Sequence, residues 1–144
     1  MNGSAETYRP DAERLNQTTA RADALSERYG ALEGEALLRV MLEWQYKGRI
    51  ALVSSFGAEA AILLDMIARI DPATPVIFID SGKLFHHTLT YRDILVRRLG
   101  LTDVRTVEPV AFDIGGHDPD GELWRHNPNL CCHLRKVLPL ERAL

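Results

Sequence analysis

The chain is poor in cysteine, in long apolar runs and in excess charge of either sign, and each shortage excludes a class of protein. Two of its 144 residues are cysteine, too few for the disulfide framework of a small secreted domain. They are neighbours, Cys131 and Cys132. Adjacent Cα atoms lie about 3.8 Å apart across a trans peptide, below the roughly 4.4 Å lower end for relaxed disulfides, so mutual pairing is disfavoured. No apolar stretch approaches the roughly 18 residues of a membrane span. The opening "MNGSAETYRPDAERLNQ" has neither the basic start nor the apolar run of a secretory signal, so a soluble cytoplasmic protein is expected. A formal net charge of -3 gives no basis for broad adhesion to nucleic acid or membrane. It leaves a small anion as a possible ligand only where basic residues gather.

What is present fits one ordinary domain: 46% hydrophobic and 26% charged residues are typical of a globular chain of this length. Residues 1–48 read as a helical segment. Leu15, Thr18, Ala22, Leu25 and Tyr29 follow helical spacing, with Gly30 as a stop. Leu37, Leu38, Met41, Leu42 and Gln45 suggest a second helix ending at Lys47-Gly48. Both stripes read as core. Residues 49–144 change texture, and are expected to form an α/β core within the same single domain. "RIALVSSF" (49–56), "PVIFID" (75–80) and "DVRTVEP" (103–109) read as strands, separated by helical patterns over 58–70 and 88–100. That alternation predicts a parallel sheet with flanking helices and right-handed crossovers. Residues 109–130 show little periodicity. There His117, Asp118 and Asp120 surround "DPDG", which reads as a turn and not as a calcium loop. "LCCHLRKVLPLERAL" resumes as a basic, partly apolar helix.

Three places suit chemistry. In "ALVSSFGAEAAILL" a strand runs into Ser54-Ser55-Phe56-Gly57 and then a helix. Such a helix start offers unpaired N–H groups and partial positive charge to an anion, with two hydroxyls beside it. The lysine-bearing Walker A pattern is absent, and an ordinary strand-to-helix turn capped by Ser55 reads equally well from the residues. "FIDSGKLF" repeats the arrangement one unit later. Asp80, Ser81 and Gly82 would close the second strand, where ligands of open α/β sheets bind, and Lys83 would meet a phosphate or lie solvated. Parallel strands would bring both turns to one sheet edge. Finally, Cys131 and Cys132 are either two buried structural thiols or ligands for a soft metal or iron–sulfur cluster, with Arg135 and Lys136 one turn later to offset negative charge. A [4Fe–4S] cluster ordinarily takes four thiolates, and spacing alone provides two.

"SSFGAEAAILL", "IDSGKLF", the following "T..YRD" and "GELW...PNLCCHLRKVLPLERAL" together resemble the thioredoxin-dependent assimilatory sulfonucleotide reductases, over about Ile50 to Leu144. These enzymes reduce adenylyl sulfate (APS), or its 3'-phosphorylated form (PAPS), to sulfite in sulfate assimilation. The resemblance implies an adenine nucleotide α-hydrolase-like fold. It places Ser54, Ser55, Phe56, Gly57, Ala58 and Glu59 around the phosphosulfate, and Ile79, Asp80, Ser81, Gly82 and Lys83 against the adenosine part. Cys131 and Cys132 would be two of four [4Fe–4S] ligands. Lys136, with Arg135 beside it, would hold the sulfate between cluster and substrate. The cysteine pair marks the cluster-bearing, APS-preferring branch. His86 and His87 replace a more familiar proline–glutamate pair, and Ser81 a threonine.

Family members continue beyond this point with an arginine-rich loop, a second cysteine pair and a terminal Glu-Cys-Gly segment. The cysteine of that segment attacks the sulfate sulfur, forming an enzyme S-sulfonate and releasing AMP; thioredoxin then frees sulfite. The sequence therefore reads as an N-terminal portion cut within its α/β domain, with an open sheet edge that favours self-association. Three other functions are weighed beside APS reduction. A PAPS reductase is one. An ATP-pyrophosphatase-type nucleotide α-hydrolase is another, although Phe56 and Ala58 depart from its Ser-Gly-Gly-x-Asp-Ser loop. The last is a non-catalytic nucleotide-binding module.

Overall fold

The computed structural model describes residues 12–144. They fall into two compact units, one ending at Leu37 and one spanning Leu38–Leu144. In the first, α1 runs from Ala12 to Tyr29 and ends at Gly30, whose N–H donates to the Ser26 carbonyl at 2.8 Å. The helix is where its spacing predicts it, but its stripe is not core. Leu15 is 50% exposed, Thr18 and Ala22 are exposed, and only Leu25 and Tyr29 are partly buried. An apolar stripe marks a face that can be buried; burial itself depends on a partner surface. Helix α2 (Gly34–Val40) leads into a π-helical turn, Met41–Gln45, where Leu42 is buried as expected.

The second unit holds a parallel sheet of β1 (Leu52–Val53), β2 (Val76–Ile79) and β3 (Val104–Val107), in that spatial order. Leu52 pairs with Val76, and Val76 with Val104. The central strand is buried at Val76, Ile77 and Phe78 in succession, as a parallel strand covered on both faces should be. Helix α3 (Ala60–Ile70) connects β1 to β2, and α4 (His86–Leu99) connects β2 to β3; the two helices touch each other. Their contact with the sheet forms a core of Phe56, Leu64, Val76, Phe78, Leu95 and Leu101. Gly100 ends α4 in the left-handed region (φ 68°), its N–H bonded to the Val96 carbonyl, with Arg97 and Arg98 in the last turn.

After β3 come α5 (Ala111–Gly115), α6 (Leu123–His126) and α7 (Pro128–Cys132). Asn127 caps α7 by accepting the Leu130 N–H at 3.1 Å, and Pro128 opens its first turn. Helix α7 runs without a break into a π-helical turn, His133–Val137, and then α8 (Leu138–Ala143), which packs against β2 and β3. The widened turn immediately precedes Pro139. A proline there withholds a donor and crowds the preceding carbonyl ladder, so the ladder opens at that point. Among the described residues no helix is long and apolar enough to cross a membrane.

Candidate functional site

Both strand-end turns reach the C-terminal edge of the sheet. The Ser54 N–H makes the last bond of the ladder, to the Ile77 carbonyl at 3.0 Å, and Ser54 is buried while Ser55 is exposed. Phe56 then adopts φ 53°, a left-handed conformation unfavourable for a bulky L-residue. Its ring explains why it stays there: it is 1% exposed and meets Phe78 edge-to-face at 5.5 Å. The Ser54 hydroxyl oxygen accepts the Phe56 N–H at 3.1 Å, and Ser55 accepts that of Gly57 at 3.4 Å. Ser55 therefore braces the loop and does not cap the helix. The first turn of α3, beginning after Glu59, has no side-chain cap, so its N–H groups face outward unsatisfied by side chains. Because each serine oxygen is accepting, its O–H proton is left to donate to an anion.

The second turn is fixed by Asp80, whose Oδ1 accepts the Gly82 N–H at 2.9 Å. Gly82 sits at φ 70°, a conformation glycine adopts without strain. Ser54, Ser55, Ile79, Ser81, Leu84 and Lys136 line a cavity of about 240 Å³. A second cavity of about 460 Å³ is lined by Ser81, Leu84, Trp124, Cys131, Cys132 and Lys136, among others. Ser81, Leu84 and Lys136 are common to both, so the serine loop and the thiols share one wall.

The expected residues are not all gathered there. Asp80 and Gly82 line a different hollow of about 320 Å³, beside Glu108 and Pro109. Gly57, Ala58 and Glu59 are exposed and line neither shared cavity. Two of the expected cations are held by protein groups. Lys83 Nζ donates to the Gly121 carbonyl at 2.9 Å. Arg135, buried, donates from Nε and Nη2 to Asp118 Oδ2 at 3.1 and 2.6 Å, and from Nη1 to the Ser81 carbonyl at 2.9 Å. Lys136 is exposed and forms no salt bridge among the described residues, which leaves its charge available at the shared wall.

Asp118 is the residue sequence reasoning passed over. "DPDG" is indeed a turn, with the Gly121 N–H bonded to the Asp118 carbonyl at 3.2 Å. The Asp118 side chain, however, is fully buried. The Leu123 N–H, then the Arg135 guanidinium, hold its carboxyl below the usual aspartate range. The thiols differ from each other: Cys131 is buried and Cys132 exposed, and both are free. Among the described residues no group of three or more His, Cys, Asp or Glu side chains is placed to hold a metal ion.

The parallel three-stranded sheet with helices beside it, and with serine- and aspartate-bearing turns after β1 and β2, is the sheet of a nucleotide α-hydrolase-like protein. Residues 49–144 match the model of the phosphoadenosine phosphosulfate reductase domain, and the chain belongs to that family. It is 43% identical over 125 residues to an adenosine 5'-phosphosulfate reductase of Mesorhizobium japonicum, covering 87% of this chain and 49% of that protein. It is 41% identical over 121 residues to the enzyme so named in Chelativorans sp., covering 83% and 49%. Adenosine 5'-phosphosulfate reductase 2 of Bacillus subtilis is 38% identical over 108 residues, covering 72% and 46%. The chain thus spans about half the length of these curated relatives.

Proposed function

We propose that this chain forms the nucleotide- and cluster-binding part of a cytoplasmic APS reductase, which in its full-length form reduces APS to sulfite and AMP with electrons from thioredoxin. The observation that carries this reading is the wall shared by the two cavities, with Lys136 on both sides. An anion bound at Ser54 and Ser55 would lie one lysine away from Cys131 and Cys132. The names of the relatives support APS as substrate, as does the cysteine pair, which the resemblance associates with the APS-preferring branch. In this reading the two serine hydroxyls and the α3 N-terminus bind the phosphosulfate, Lys136 stabilises its charge, and the Ile79–Lys83 turn contacts the adenosine part. Ser81, which lines both cavities, belongs to both contacts.

The cluster is tested by the donor set. Cys131 and Cys132 fit two of the four thiolate positions of a [4Fe–4S] centre, and the other two would come from outside this chain or from a second copy. When bound, the cluster with its four thiolates would be a net-negative group whose charge the adjacent Lys136 would offset beside the substrate. The attacking thiolate likewise belongs to the full-length protein, so the residues here bind and orient. Sulfite release from APS by the full-length protein, with and without thioredoxin, tests the function. Lys136→Met should reduce kcat/KM by about 100-fold or more, the order lost with an oriented charge at a reacting anion. Undiminished turnover of that variant, or equal use of ATP with pyrophosphate release, would refute the assignment.

A further inference from the structure

The buried ion pair beneath the thiol-bearing helix ties three separate segments together. Both oxygens of Asp118 are engaged: Oδ1 accepts the Leu123 N–H at 2.9 Å, and Oδ2 accepts two N–H groups of Arg135. The third guanidinium nitrogen of Arg135 donates to the Ser81 carbonyl. Lys83 closes a second tie between the same two loops through the Gly121 carbonyl. Gly82 lies between these ties at φ 70°, a conformation strained for other residues, while an added Cβ would only be in ordinary contact with Arg135 Nη1 at 3.5 Å. Arg135 follows Cys131 by four residues and Cys132 by three, so it anchors the helical turn directly beneath the pair. A buried ion pair keeps its geometry only while its lone pairs and protons are satisfied, and removing one partner leaves an uncompensated charge.

We propose that Asp118 is a positioning residue: through Arg135 it holds the Cys131–Cys132 helix turn against the Ser81–Lys83 loop, and so sets the separation of the thiols from the anion-binding serines. What that separation serves rests on the proposed function; the tie itself does not. Nothing in the turn sequence "DPDG" announces this role, because turn chemistry fixes the backbone and leaves the side-chain direction open.

The test is peptide-resolved alkylation of Cys131 and Cys132 by iodoacetamide in reduced, metal-free full-length protein, with folding followed by circular dichroism. Access governs thiol reactivity, so Cys132 is expected to react at least about tenfold faster than Cys131 in the wild type. Asp118→Asn keeps the acceptor for Leu123 but removes the charge that holds Arg135. It should raise the Cys131 rate to within about threefold of Cys132, while Asp118→Glu keeps part of the protection. Leu95→Ala, which destabilises the core away from the tie, should leave the ratio of the two rates at its wild-type value. A folded Asp118→Asn protein whose Cys131 is as protected as in the wild type overturns the proposal, as does a ratio that collapses equally in Leu95→Ala. Should Asp118→Asn fail to fold, Arg135→Lys, which loses the fork and keeps the charge, is read by the same criteria. Absence of APS turnover in a separate, cluster-loaded wild-type preparation would count against the proposed function and leave the labelling ratio interpretable.

Discussion

Phe56 offers a test of the left-handed loop after β1 in which two opposing effects can be separated. Its side chain is 1% exposed, and truncating a buried phenylalanine to alanine costs about 3–5 kcal/mol. Its backbone, at φ 53°, lies where an L-residue pays about 1–2 kcal/mol relative to right-handed geometry. Burial outweighs strain, which is why a phenylalanine tolerates the position. Phe56→Ala removes the ring and keeps the strain, so it should lower unfolding stability by about 3–5 kcal/mol. Phe56→Gly removes both. Against the relief of about 1–2 kcal/mol stands a loss of about 0.4–1 kcal/mol from the greater freedom of glycine in the unfolded chain. The glycine variant should therefore be no less stable than the alanine variant, and more stable by up to about 1.6 kcal/mol, the reverse of the order in a helix or strand. Urea unfolding of both variants, followed by circular dichroism, reads this difference as a shift in midpoint at equal slope. A glycine variant clearly less stable than the alanine variant would refute the left-handed loop.

Other outcomes follow from the same structure. Gly100→Ala meets no atom within 4 Å of the added Cβ, so only backbone strain at φ 68° opposes it; a stability loss of about 1 kcal/mol in urea titration is expected, and no loss would remove the left-handed cap. Asp118 has a lowered folded pKa, so its contribution is intact above about pH 4 and lost as the pH falls through that lower value. Stability of Asp118→Asn should consequently vary less than that of the wild type below about pH 4, and parallel curves in acid titration would contradict the buried carboxylate. Both β1 and β3 are edges of the described sheet, and Ile62 and Phe112 are 67% and 90% exposed. The 144-residue chain should therefore self-associate in light scattering, whereas a monomer at every concentration would argue against an adhesive surface.

The order of elements was legible because strand-like and helical patterns alternate with clear punctuation. The 88–100 pattern closes at Gly100 where α4 ends, but residues 109–130, read as lacking periodicity, hold the short helices α5 and α6 and the Asn127-capped start of α7. The first strand was read as 49–56 but pairs only at Leu52–Val53, because the chain then turns through Ser54 and Ser55 and Phe56 takes a left-handed backbone. Facing was harder to read. Helix α3 buries Leu64 and Ile67 while Ile62 is 67% exposed, because a helix apolar on nearly all sides does not reveal which side meets the sheet. The π-helical turn at 133–137 has no local signature beyond Pro139, and it turns Arg135 inward while leaving Lys136 exposed. Sequence alone assigned Lys83 to the adenosine side and Arg135 and Lys136 to the sulfate and thiols, without showing which of them have protein partners. Tertiary contacts give the first two fixed partners, and that distinction depends on Asp118 and Gly121, 17 and 38 residues away respectively.

The central claim is that Cys131 and Cys132 hold iron beside a nucleotide-bound sulfate. Anaerobic iron and acid-labile sulfide analysis of the full-length protein, run beside Cys131→Ser and Cys132→Ser, addresses it most directly. About four iron and four sulfide per cluster in the wild type, with loss of both in each serine variant, is the predicted result. A wild-type protein that turns over APS while containing neither would contradict it.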